Sequence, residues 1–222
     1  MTIMQTTTEK ARFNMIEQQV RPWDVLDPAV LQLLNDIPRE AFVPKGYAGL
    51  AFADIEIPLG HGQHMLSPKL EGRMLQSLSL KKTDRVLHIG TGSGYFDALL
   101  AKSAAHITSL ESHADLSQQA AQNLAAHNIH NVTLQVADGI AGLPQAAPFD
   151  VIVYTGSSPV EPAGVRQQLA IGGRMLIVLG EAPVMQATLI QRVTQDAYRE
   201  DVLFETCLPP FTNAPQAQKF EF

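Results

Sequence analysis

One stretch restricts the fold of this chain more than any other. The segment "RVLHI" runs into Gly90-Thr91-Gly92-Ser93-Gly94 and then into a helical pattern reaching about Lys102. Three alternating glycines between a strand and a helix allow a tight turn and let backbone approach a ligand where a Cβ would clash. Many loops of this kind hold a pyrophosphate at the helix start. Here the third glycine follows the second by two residues, so the spacing is GxGxG and not GxGxxG. That spacing suits a nucleoside cofactor whose amino-acid tail lies beside the loop, and argues against a nicotinamide dinucleotide. A tight turn without a ligand is the other reading, and the loop alone does not choose between them.

The surrounding pattern extends the unit. "HITSL", "NVTLQV", "FDVIVYT" and "RMLIVL" read as further strands, with helices expected over 114–126 and near 163–169. Strands alternating with helices at this spacing predict an α/β fold with a parallel sheet covered on both faces. "ATLIQRV" and "YREDVLFET", separated by Thr194, Gln195 and Asp196, read as an antiparallel pair closing one edge. The final "CLPPFTNAPQAQKFEF" reads as irregular.

Upstream, Met1 to Gln5 read as loose, and Thr6 with Glu9 fits a capping box before a helix to about Gln19. Asp27-Pro28 and Ser67-Pro68 are cap-plus-proline helix starts. "IPREAFVPKGY" reads as an extended connection, because Pro38 and Pro44 lack a backbone donor. Leu70, Met74, Leu75 and Leu78 read as the core face of the helix after Ser67. These signals divide the chain into an N-terminal helical layer over 1–80 and a cofactor-binding domain over 81–222.

Composition bounds the function. The 222 residues are 45% hydrophobic and 17% charged, enough for one substantial core. Lys plus Arg is 16 and Asp plus Glu is 22, a net charge of −6 that argues against broad backbone-driven nucleic-acid binding. The single Cys207 leaves no intrachain disulfide and no thiolate metal cluster, so no metal is expected. With neither a signal pattern nor a long apolar run, the expectation is a cytoplasmic protein without membrane contact. The oligomeric state is left open.

The glycine loop has acidic partners. Glu111 ends the second predicted strand, 17 residues after Gly94. A carboxylate there can accept both ribose hydroxyls, as in dinucleotide sites. Asp138 follows the third strand, placed to accept from an adenine amino group. Both lie at carboxyl ends of successive strands, where an open parallel sheet puts its ligand crevice. Together they point to an adenosyl cofactor. Asp150, at the start of the fourth strand, reads equally as a turn or cap.

With these residues in place, the sequence resembles the protein-L-isoaspartate O-methyltransferases, within the class I S-adenosylmethionine-dependent methyltransferases. The resemblance is carried by "MIEQQVRPWDVLDPAVLQLLNDIPREAFVP", "VLHIGTGSGYFDALLA", "NVTLQVADGIAGLP", "PFDVIVYTGSSP" and "QQLAIGGRMLIVLG", over roughly residues 12–180. It implies a Rossmann-like, mostly parallel seven-stranded sheet with an N-terminal segment that helps cover the substrate. It implies S-adenosyl-L-methionine as cofactor, with Gly90, Gly92 and Gly94 at its methionine portion, Glu111 at ribose and Asp138 at adenine. It implies protein repair, by methylation of an isoaspartyl protein or peptide.

Two positions depart from the family pattern. His88 stands where the family usually has Glu. It is read either as a cofactor-site residue that can only hydrogen-bond when neutral, or as a structural strand-end residue. "GQHMLSP" stands where the family has approximately "GQTISQP", so His64 replaces threonine, Leu66 replaces the active-site serine, and Ser67 falls at the glutamine. Leucine offers no hydrogen bond. His64 and Ser67 are therefore the candidate catalytic residues. The alternatives are an exposed loop histidine and a helix N-cap.

A carboxylate acceptor is ionised at neutral pH, with a reference pKa of about 4, and needs no strong base. Isoaspartyl carboxyl methylation is the leading expectation. Two alternatives are methylation of another protein group or a small molecule, motivated by His64, Leu66 and His88, and a non-catalytic cofactor-binding regulator. Trp23, Tyr47, Tyr95 and Tyr154 read as ligand contacts or packing residues alike. Arg21 reads as a carboxylate clamp or a solvated surface residue.

Overall fold

A computed structural model of the chain describes residues 3–216, with side chains from residue 7. Residues 1–2 and 217–222 lie outside the described residues, and with them part of the N-terminal stretch and of the tail discussed above.

Among the described residues, nine strands form two sheets. The main sheet contains β3 (Arg85–Ile89), β4 (His106–Glu111), β5 (Val132–Val136), β6 (Phe149–Ser158), β7 (Leu169–Glu181), β8 (Val184–Arg192) and β9 (Tyr198–Thr206). Their order is β5-β4-β3-β6-β7-β8-β9. Strands β3 to β7 pair in parallel, and β8 and β9 pair antiparallel. The order reverses at β3, where the chain steps first to β4 and β5 and later returns to β6 on the other side. The crevice at that reversal is where the glycine loop lies.

Period-2 alternation sets the two faces. Val86, Val151, Val153, Leu176 and Val178 pack into one buried cluster with α4 (Tyr95–Ala101) and the N-terminal layer. Leu87, Ile89, Ile152, Tyr154, Met175 and Ile177 form the opposite cluster. Both faces of the sheet are covered, the first by helices and the second by connecting segments. Leu143 and Val165, from connecting segments, cover the second face. The helix expected near 163–169 is only a 3-10 turn, Arg166–Gln168, because Gly164, with a φ of +78°, lies outside helical geometry. Strand β7 begins at Leu169 and runs through Gly172-Gly173.

The N-terminal layer is built from α1 (Ile3–Met15), α2 (Pro28–Asp36) and α3 (Pro68–Leu78). Helix α1 starts at Ile3, so Ile3–Gln5 are helical and Thr6 is inside the helix, not its cap. It continues through a π-turn, Ile16–Val20, into a 3-10 turn, Arg21–Trp23. Pro22 lacks an N–H, which accounts for the change of winding. Asp27 caps α2 by accepting from Ala29 N at 2.8 Å. The stretch expected to be extended forms 3-10 turns at Arg39–Ala41 and Lys45–Leu50, each preceded by a proline. Pro38 and Pro44 therefore start turns instead of preventing them. Sequence reading also missed a hairpin of β1 (Ile57–Gly60) and β2 (Gln63–Met65). Its signal was Gly60-His61-Gly62, whose φ values are all positive. The described N-terminal layer and the sheet share one continuous apolar cluster. Among the described residues no helix is long and apolar enough to cross a membrane.

Candidate active site

The loop after β3 takes its shape from its glycines. Gly90, Gly92 and Gly94 have φ values of +99°, +54° and +80°. A Cβ on Gly90 would lie 2.6 Å from Thr155 Oγ1, and one on Gly94 would lie 3.1 Å from Ala120 Cβ. Thr91 Oγ1 meets Ser109 Oγ at 2.7 Å, and Asn123 from α5 (Ala114–Ala126) donates to Ser93 O at 2.9 Å. The loop is thus held from α5 and from β4.

A cleft follows the loop. One end is lined by Ile89, Leu110, Glu111, Asp138, Phe211 and Asn213. The buried Glu111 carboxylate accepts from Gly92 N at 2.9 Å and His113 N at 3.1 Å. Asp138 accepts from Ile140 N at 3.0 Å and from Asn213 Nδ2 at 2.8 Å. A carboxylate has about four acceptor sites, so each retains capacity for a further donor. Apolar walls between two such carboxylates, beside a cradle that a Cβ would fill, match a purine nucleoside in shape and donor chemistry. Asp150 accepts from Arg85 N at 2.8 Å, far from this end, and acts as a strand-start cap.

The cleft continues past Gly90, Gly92 and Thr155 to His64, Leu66, Glu71 and Phe96. The hairpin brings His64 there, opposite Pro58. Glu56, just before β1, is held above the ordinary carboxylate range by partial burial, with His64 pulling it back. Leu66 is buried and belongs to the apolar cluster. Ser67 is buried at the N-cap of α3, where its hydroxyl makes no capping bond. Its carbonyl accepts from Leu70 N and Glu71 N, both at 3.1 Å. His64 and Leu66 border the cleft, and Ser67 is not among its lining residues.

His88 lies beneath the loop. It is fully buried, with Nδ1 2.7 Å from Asp97 Oδ1 and Nε2 3.1 Å from Thr155 Oγ1. Thr155 in turn donates toward Gly90 O at 2.8 Å. Both ring nitrogens are engaged by protein, and His88 lines no part of the cleft described above. Of the other aromatic candidates, Tyr154 is buried and donates to Ile140 O at 3.0 Å, and Tyr95 is buried against Arg39. Trp23 and Tyr47 are exposed. Arg21 pairs with Glu17 at 2.7 Å on the surface.

Sequence reading missed Gln63, Glu71, Phe211 and Asn213. Glu71 pairs with Arg39, both of them buried. Arg39 also donates to Ala51 O at 2.9 Å and Leu66 O at 2.6 Å, fixing the segment that carries His64 and Leu66. Burial pushes the Glu71 carboxyl up from 4.5 to about 7, against the pull of Arg39. The folded chain then holds an extra proton between about pH 4.5 and pH 7. The contribution of Glu71 to stability is full below that window and lost as pH rises through it. In urea titrations, the stability of the native chain relative to Glu71→Gln is expected to fall across the window and to level off above it. A difference that rises with pH would show that Arg39 outweighs burial.

Comparisons with known proteins bear on the family and the fold. Residues 10–213 match the family model described as protein-L-isoaspartate(D-aspartate) O-methyltransferase. A protein-L-isoaspartate O-methyltransferase of Rhodospirillum centenum is 37% identical over 223 residues, covering 98% of this chain and 99% of the relative. One from Marinobacter nauticus is 39% identical over 187 residues, covering 84% of this chain and 85% of the relative. Among solved structures, a putative protein-L-isoaspartate O-methyltransferase from Plasmodium falciparum, in complex with S-adenosyl-L-homocysteine, superposes with a TM-score of 0.75 at 18% identity. That match covers 91% of this chain and 97% of the other and shows the shared fold.

Proposed function

The chain belongs to the protein-L-isoaspartate(D-aspartate) O-methyltransferase family, and on that premise we propose how its residues divide the work of S-adenosylmethionine-dependent methyl transfer to an isoaspartyl carboxylate. The single observation that carries the proposal is the continuous cleft. It joins Glu111 and Asp138 at one end to His64 and Leu66 at the other, along the Gly90–Gly94 loop. Glu111 takes the ribose hydroxyls and Asp138 the adenine amino group. Ile89, Leu110 and Phe211 enclose the base. Gly90, Gly92 and Gly94 let backbone lie against the methionine portion. His88 acts through the loop, by fixing Thr155 against Gly90.

When bound, the cofactor supplies an electrophilic methyl group on a sulfonium. The protein's part is alignment and exclusion of water. The acceptor carboxylate arrives ionised, so no side chain has to remove a proton. His64, at the border of the cleft, orients one acceptor oxygen. Leu66 and Phe96 keep the transfer region apolar. Ser67 starts α3 through its carbonyl. A hydroxyl role for Ser67 requires a backbone shift of one residue. The 1–80 layer covers the acceptor side of the cleft, and 81–222 hold the cofactor.

The test is transfer of labelled methyl to an isoaspartyl peptide and to its aspartyl counterpart. A base-labile methyl ester on the isoaspartyl peptide alone is expected. Absence of that ester, with cofactor bound, would redirect the search to another acceptor, a reading favoured by the apolar Leu66 at the cleft. A second expectation concerns Glu111. Glu111→Gln removes the charge from the acceptor and should weaken S-adenosylhomocysteine binding roughly 10- to 100-fold by calorimetry. Affinity within a factor of two of the native chain would remove Glu111 from the ribose role.

A further inference from the structure

The amino-acid end of the cofactor carries an ammonium, and a buried ammonium requires an acceptor of opposite charge. Two of the cleft's carboxylates, Glu111 and Asp138, sit together at the nucleoside end. Asp115 faces an adjoining groove, where His61 holds it at 2.8 Å. Asp97 is sealed against His88 and lines no part of the cleft. Beside Gly90, Gly92 and Phe96, at the opposite end from the nucleoside, the acidic side chain is Glu71.

Glu71 is prepared for a second cation. Oε2 is held by Arg39, whose guanidinium is itself fixed by Ala51 O and Leu66 O and lies 5.2 Å over the Tyr95 ring. Among the described residues no hydrogen bond is made to Oε1. A carboxylate can accept from two cations at once, one at each oxygen. Its sign also decides which molecule it serves. An ammonium beside Oε1 is attracted, and the acceptor carboxylate is left to His64 in the same pocket. We infer that Glu71 receives the α-ammonium of the cofactor's amino-acid end, with Arg39 holding it in place. This rests on the adenosyl-cofactor reading and adds a residue that sequence reasoning had left out of the site.

The test compares two ligands by calorimetry. S-adenosylhomocysteine carries the amino-acid end, and 5′-methylthioadenosine has the same adenosine and thioether without it. Glu71→Gln keeps the side-chain shape and can still accept from Arg39. It should weaken S-adenosylhomocysteine about tenfold or more and change 5′-methylthioadenosine by less than about twofold. Equal weakening of both ligands, or of neither, overturns the inference. Should the variant not fold, a crystal structure of the native chain with S-adenosylhomocysteine decides. The ligand nitrogen is expected within about 3.5 Å of a Glu71 oxygen, and a separation with no contact overturns the inference. A native chain that binds neither ligand overturns the cofactor reading and this inference with it. Binding of both without sensitivity to Glu71 overturns the inference alone.

Discussion

Gly90→Ala is expected to lower affinity for S-adenosylhomocysteine by at least about 100-fold while the chain stays folded. Two costs combine at this position. The backbone sits at φ +99°, where an L side chain is strained by about 1–3 kcal/mol. The new Cβ would also lie 2.6 Å from Thr155 Oγ1, so one of the two must move. Thr155 is not free to yield without consequence, because it is 3.1 Å from His88 Nε2 and donates toward Gly90 O. Moving it loosens the loop that the cofactor lies against. Gly164→Ala is the matched control, with φ +78° and open space around the added Cβ. It should cost a similar strain in thermal melting and leave the affinity unchanged. If Gly90→Ala binds within tenfold of the native chain, the loop is not the methionine cradle.

The largest stability effect is expected at Arg39. Arg39→Leu should reduce the free energy of unfolding by about 3–5 kcal/mol in urea titration, the range for breaking a buried ion pair from one side. The guanidinium is fully buried and serves three acceptors, Glu71, Ala51 O and Leu66 O. Leucine satisfies none of them. Against a total stability of roughly 5–15 kcal/mol, such a loss is a large fraction. Arg166 provides the contrast. It pairs with Glu161 and Glu200 near the surface, and Arg166→Ala should cost under about 1 kcal/mol. A small effect at Arg39 would mean that Glu71 accommodates the loss by taking up a proton and that the carbonyls find other donors.

What the sequence made legible was governed by local rules. The seven strands of the main sheet show as short apolar runs between turns, with β6 running on to Ser158 and β7 starting at Leu169, ahead of the apolar run. Glu111, Asp138 and the glycine loop were legible because strand ends converge in any doubly wound sheet. Glu71 was not, because its helical position reads as one more turn of α3, and its buried partner comes from a turn 32 residues away. His88 reads as a candidate ligand until Asp97 is seen beside it. That contact follows from how α4 packs back on β3 and not from any local spacing. The helix expected near 163–169 failed for a similar reason. The buried Gln168 side chain accepts from Leu143 N at 2.7 Å and donates to Ala141 O at 2.8 Å, a task outside helical periodicity.

The roof over the nucleoside end has a consequence for the order in which the site comes into being during synthesis. Phe211 and Asn213 reach the cleft only because the chain after β9 doubles back along β6. Ser157 N there donates to Pro209 O at 3.1 Å and Phe211 N to Ser157 O at 3.0 Å. A nascent chain that has emerged as far as β7 already possesses the glycine loop, Glu111 and Asp138, but not their cover. It must still add an antiparallel pair and close a contact across 75 residues, from Asp138 to Asn213. Closure over such separations is slow relative to local folding. Tight cofactor capture is therefore among the last properties this chain acquires as it leaves the ribosome, after the sheet that carries the site is largely made.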